Sequence, residues 1–100
     1  MLRHIVLFQF KADVSPAQRQ EVADAFAALP HKIPQIAAFE WGTDVSVENL
    51  QQCLTHGFLV TFRSEADRDA YLPHPEHQKF VQLTTPRIEK VMVFDYWVRT

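Results

Sequence analysis

Cysteine occurs once, at Cys53, in a chain of 100 residues, so an internal disulfide and every multi-cysteine zinc site are excluded. Glycine is almost as scarce. Gly42 and Gly57 are the only two, too few for a phosphate-cradling loop or a dinucleotide fingerprint. Positive charge is not in excess: ten Lys and Arg against twelve Asp and Glu leave a net charge of −2 and a pI near 6.2. That balance argues against nucleic acid as a partner and against a polybasic membrane anchor. No apolar run approaches the ~20 residues of a membrane-spanning helix, and no signal-peptide pattern opens the sequence. The expectation is a cytoplasmic protein with no membrane partner. What the chain does have is a 47% hydrophobic content with eight Phe, and five His. That is enough apolar material for one globular domain spanning residues 1–100.

From Arg3 to Lys11 the chain is β-branched and aromatic, the pattern of a strand with His4, Val6, Phe8 and Phe10 on one face. Ser15-Pro16-Ala17-Gln18 is a helix start, with a capping serine, proline at the first helical position and a glutamine to close the box. Val22, Phe26 and Leu29 continue at helical spacing until Pro30. Ile36–Gly42 reads as a second strand, Thr43–Gln52 as a polar loop, and His56–Phe62 as a third strand presenting His56, Phe58, Val60 and Phe62 together. Ser64 opens a second helix, His74-Pro75 a third that runs to about Thr84, and Ile88–Val98 is a final long strand. The order β-α-β-β-α-(α)-β predicts an α+β, ferredoxin-like antiparallel sheet with its helices on one face.

Helices on one side leave the other side bare. Ile5, Leu7, Leu59, Met92, Phe94 and Tyr96 would share that back face. Aromatic side chains present about 150–250 Å² each, so the patch exceeds what monomers expose. A second copy of the chain, related by a two-fold axis, is the expected cover.

At this point particular residues carry a likeness. Arg3-His4-Ile5-Val6-Leu7-Phe8, Trp41-Gly42, Thr55-His56-Gly57-Phe58, Tyr71-Leu72-Pro73-His74-Pro75-Glu76-His77 and Val93-Phe94-Asp95-Tyr96 stand in order at family spacing. On these the chain resembles the stress-responsive dimeric α/β-barrel (Dabb) family over essentially its whole length. The resemblance implies a ferredoxin-like subunit whose sheets form a dimeric α+β barrel. No cofactor is expected. It extends to a plant branch of the family that closes linear polyketides by intramolecular aldol condensation. Against that branch, His77 stands at the general base and Tyr71 at the oxyanion-stabilising hydroxyl, while His4 and His56 match two further histidines. Phe58 is bulkier than its counterpart, so the substrate does not carry over.

The residues can also be weighed without the likeness. With His74 as cap, His77 falls at the third helical position, where the helix dipole disfavours an imidazolium. A neutral imidazole can then act as a base. Tyr71 could donate to a developing enolate. Antiparallel pairing of the first and third strands places His4 opposite Phe62 and His56 opposite Phe10, about six residues and roughly 20 Å apart, too far to share one small site in a single subunit. Asp95 is the carboxylate available to a histidine. His74 and His77 lack a third metal ligand, and Cys53 has no base beside it. The expected site is a small apolar pocket on the helix side, with His77 and Tyr71 catalytic and His4, Val6, Phe8, His56, Phe58 and Val60 binding the substrate. Two functions fit: proton transfer or aldol-type cyclisation on a carbonyl compound, and a non-catalytic stress-response or ligand-binding dimer with structural histidines. Cofactor-free oxygen chemistry has only the shared architecture behind it.

Overall fold

Every second side chain of β1, Leu2–Phe10, is buried, as a strand with one face on a core requires. A complete capping box starts α1, Pro16–Ala28: Ser15 Oγ accepts from the Gln18 N–H at 3.1 Å, and the Gln18 side chain accepts from the Ser15 N–H at 2.9 Å. Pro30 sits in the 3₁₀ turn Leu29–His31 that ends the helix. Then follow β2 (Ile36–Thr43), β3 (His56–Phe62), α2 (Glu65–Tyr71), α3 (Pro75–Thr84) and β4 (Ile88–Trp97). The computed structural model describes residues 1–100. The sheet order is β2-β3-β1-β4 with every pair antiparallel, which is the ferredoxin-like topology the sequence predicts.

One register differs from expectation. His4 lies opposite Val60 and His56 opposite Phe8, two residues away from the predicted pairing. The cause is Leu2, which is a buried core residue and extends β1 to pair with Phe62. A two-residue shift leaves each side chain on its predicted face. It does bring the two histidines within four residues, roughly 14 Å at the strand repeat.

The core forms where α1 lies on the sheet. Phe26 stacks on Phe58 with centroids 4.6 Å apart and meets Phe80 at 4.5 Å and Phe39 at 5.2 Å. On the opposite face Met92, Phe94 and Tyr96 are exposed beside Ile5, Leu7 and Leu59, and Phe94 is 61% exposed.

Candidate functional site

α1 plugs the sheet over β1 and β3, and nothing comparable covers the helix side of β4. Val91 and Val93, which point that way opposite Phe8 and Val6, are each 54% exposed. The result is a cleft of about 470 Å³ between α3 and the β1–β4 half of the sheet. His4, Val6 and Phe8 form its floor with Val93 and Asp95, and Tyr71, His77 and Phe80 form its roof.

Tyr71 is the last residue of α2 and is completely buried. Its ring packs on Phe62 at 5.1 Å and on His77 at 4.4 Å. Its hydroxyl has no hydrogen-bond partner. Burial pushes the phenol far above its ordinary value of 10, so the group remains an O–H donor throughout the neutral range. A buried hydroxyl without a partner carries an unrecovered desolvation cost, which a bound acceptor would remove.

His77 sits at the third position of α3, where the sequence places it. Its Nδ1 is 2.8 Å from the Leu72 carbonyl oxygen. A carbonyl only accepts, so Nδ1 carries the proton and the lone pair of neutral His77 is on Nε2. Its pKa is lowered from 6.5, first by burial, with smaller contributions from the fields of His4 and His74; the Leu72 carbonyl opposes the shift. The direction agrees with the sequence reading, but desolvation is the main cause. His56 is lowered too, by burial and then by the Arg19 charge.

A stability prediction follows from these two shifts. The unfolded chain binds protons at both imidazoles more readily than the folded one, so stability is full above 6.5. It declines as pH falls through 6.5 and levels off below the folded-state values. Thermal unfolding between pH 8 and pH 4 should show this decline in wild type, and the double variant His56→Gln/His77→Gln should flatten it around pH 6.

His4 is only 5% exposed, and its Nδ1 lies 2.6 Å from Asp95 Oδ1. The carboxylate available to a histidine thus belongs to His4. Its ring stands edge-on to Tyr71 at 5.9 Å. His4, Val6, Phe8, Tyr71 and His77 therefore share one cleft. His56, Phe58 and Val60 do not line it. Phe58 is sealed in the core beneath Phe26, and Val60 is buried in the same core. His56 lies between Phe10 at 4.9 Å and a nearly parallel Trp41 at 6.3 Å, with Nδ1 2.8 Å from Thr55 Oγ1. It borders a separate depression of about 470 Å³ under the β2–β3 loop. A shared strand face could not tell these residues apart, because the position of α1 decides which part of that face stays open.

Val91, Val93 and Asp95 form the β4 wall of the cleft, and no signal in the sequence says that this strand lacks a helix over it. No set of three or more His, Cys, Asp or Glu side chains converges with metal-ligand geometry. His74 Nδ1 accepts from the Glu76 N–H at 3.1 Å as the cap of α3.

Residues 2–98 match the family described as Stress responsive A/B Barrel Domain (Dabb). The stress-response A/B barrel domain-containing protein HS1 of Arabidopsis thaliana is 40% identical over 95 residues, covering 95% of this chain and 87% of that protein. Olivetolic acid cyclase of Cannabis sativa is 32% identical over 98 residues, covering 98% and 97%. Among solved structures, the hydroxynitrile lyase of Passiflora edulis matches with a TM-score of 0.92 at 29% identity, covering 98% of this chain and 93% of that one. A protein of Jannaschia sp. CCS1 described as dimeric and ferredoxin-like matches at 0.85 with 25% identity, covering 97% and 98%.

Proposed function

This chain belongs to the stress-responsive A/B barrel (Dabb) family, and from that premise we propose that its cleft binds a small, mostly apolar carbonyl compound and catalyses proton transfer or aldol-type carbon–carbon bond formation on it. One observation carries the reading: a fully buried phenol with an unpartnered hydroxyl stands against an imidazole whose free lone pair is on Nε2. Tyr71 Oη–H donates to the substrate carbonyl oxygen. His77 Nε2 takes the proton from the carbon beside it. The negative charge that develops on oxygen is held by Tyr71, and the resulting enolate carbon attacks a second carbonyl, whose oxygen receives the proton from His77. In simple proton transfer the proton returns to carbon instead. Val6 and Phe8 supply the apolar wall. His4 offers a polar contact.

Two similar proteins bear the names of a cyclase and a lyase, which supports small-molecule chemistry in this fold. The test needs no prior substrate. A panel of methyl ketones and aldehydes is incubated with the protein in D₂O, and exchange of the protons beside the carbonyl is followed by NMR. Exchange should exceed the buffer rate for some members and should follow an ascending pH profile with a midpoint below 6.5, because His77 must be neutral to act. Saturable binding without accelerated exchange would instead leave a ligand-binding dimer.

The dimer is part of the same reading. The back face pairs with its counterpart on a second copy, burying Phe94, Met92 and Tyr96. Phe94→Lys places a charge at the centre of that patch. Sedimentation should show the wild type as a dimer and the variant as a folded monomer. A dimeric variant would move the interface elsewhere.

A further inference from the structure

α2 brings a second group to the site besides Tyr71. Arg68 lies one helical turn earlier, on the same side of the helix. Its Nη1 is 3.3 Å from Asp95 Oδ2, while the other oxygen, Oδ1, is the one 2.6 Å from His4 Nδ1. The chain of contacts continues outward: Arg68 also meets Asp69 at 3.1 Å and Glu65 at 3.9 Å, and Glu65 accepts from the Trp97 indole at 3.1 Å. Arg68 and Asp95 are about three-quarters covered, their side chains 22% and 26% exposed. Asp95 and, past it, Arg68 adjoin His4, Tyr71 and His77 stand across the cleft, and Glu89 lines the same cleft.

A carboxylate shared in this way is constrained in direction. The guanidinium on the second oxygen holds the carboxylate plane in place and keeps Oδ1 aimed at His4 Nδ1. With Oδ1 accepting, the single proton of a neutral His4 sits on Nδ1. The hydrogen bond of the His4 ring is made through Nδ1, which leaves Nε2 free on a residue of the cleft floor.

We propose that Arg68 is a positioning residue: through Asp95 it fixes the His4 ring with its Nδ1–H toward Oδ1, so that Nε2 is the hydrogen-bond acceptor in the cleft, selecting ligands that carry a hydroxyl or enol donor as well as a carbonyl. The cleft then offers one donor, Tyr71 Oη, and two acceptor nitrogens, on His4 and His77. The ligand class narrows accordingly to hydroxylated or enolised carbonyl compounds. The preference for a donor rests on the reading that a carbonyl compound binds here. The state of His4 does not, since it can be observed in the ligand-free protein.

The experiment has two arms. In the first, ¹⁵N NMR of the imidazoles at neutral pH reports which nitrogen of His4 bears the proton, assigned with His4→Gln. Wild type should show Nδ1–H with unprotonated Nε2. Arg68→Met should release the carboxylate and let the Nε2–H tautomer of His4 appear, and Arg68→Lys, which retains a donor for Asp95 Oδ2, should restore much of the wild-type pattern. An imidazolium or an Nε2–H tautomer in wild type overturns the proposal without any variant, as do unchanged His4 signals in Arg68→Met. In the second arm, binding of acetophenone is compared with that of its three ring-hydroxylated isomers. Wild type should prefer at least one hydroxylated isomer roughly tenfold, the scale of one good hydrogen bond, and Arg68→Met should lose the preference while still binding acetophenone. Equal affinity for all four ligands overturns the acceptor role. Failure of all four to bind counts against the carbonyl reading, and the first arm still decides the role of Arg68.

Discussion

His77→Ala is expected to reduce proton exchange on the best ketone of the panel by about 10²- to 10⁴-fold, the usual contribution of a positioned general base. The expectation rests on geometry. The Leu72 carbonyl holds the Nδ1 proton, and burial keeps the ring neutral close to physiological pH. A lone pair is therefore available at Nε2 without first losing a proton to water. The same substitution removes one hydrogen bond to a backbone carbonyl that Gln78 Nε2 also reaches, at 3.2 Å. The stability cost should be only about 1 kcal/mol. For a domain of this size that is a fall in Tm of about 4–8 °C. His77→Gln can retain a donor to Leu72 while lacking a base, so it should lose the rate with a smaller fall in Tm. A rate within twofold of wild type in either variant would remove His77 from the chemistry.

Tyr71→Phe should move rate and stability in opposite directions. The hydroxyl is fully buried and has no partner, so it destabilises the free protein by the cost of its desolvation. Deleting it while retaining the ring keeps the packing on Phe62, His4 and His77. Unfolding should become harder by about 1 kcal/mol. Exchange, however, should slow by about 10²–10³-fold if this O–H is the donor that meets the enolate oxygen. A tyrosine that serves only as an aromatic wedge would give the stability gain and no change in rate. A loss of stability would show that the hydroxyl is satisfied in the free protein, and would take away the observation on which the functional reading stands. Denaturant unfolding and the NMR exchange assay, on the same two proteins, separate the three cases.

The two predictions draw on different degrees of legibility. Tyr71 and His77 could be placed together from the sequence because only five residues, among them Pro73, His74 and Pro75, join them, and such a segment allows few paths. The capping box at Ser15 and the cap at His74 were equally legible, being local hydrogen-bond chemistry. His4 was placed on the correct face by alternation, and Asp95 was recognised as a histidine partner without its being clear which histidine. The pairing needed the register of β1 against β4, where His4 meets Asp95 directly. His56, Phe58 and Val60 were assigned to the site because they share a face with His4. That inference treats a sheet face as one environment, whereas Phe26 divides it into a filled part and an open part. Arg68 gave no sign of itself. Among several charges on a short helix, nothing in its local sequence marks it as the one that meets Asp95.

Alternation, caps and proline punctuation thus determined the elements, their order and which side chains face the helices, because each depends on neighbours within a few residues along the chain. A sheet with apolar residues on both faces was likewise determined by the sequence, since period two requires only counting. Where the cleft opens was decided by the tertiary structure alone. It depends on how far α1 and α3 reach across the sheet, a balance of packing among Phe26, Phe58 and Phe80 that leaves β4 uncovered. The link from Arg68 through Asp95 to His4 joins residues 27 and 91 positions apart, and only the folded sheet brings them to hydrogen-bonding distance.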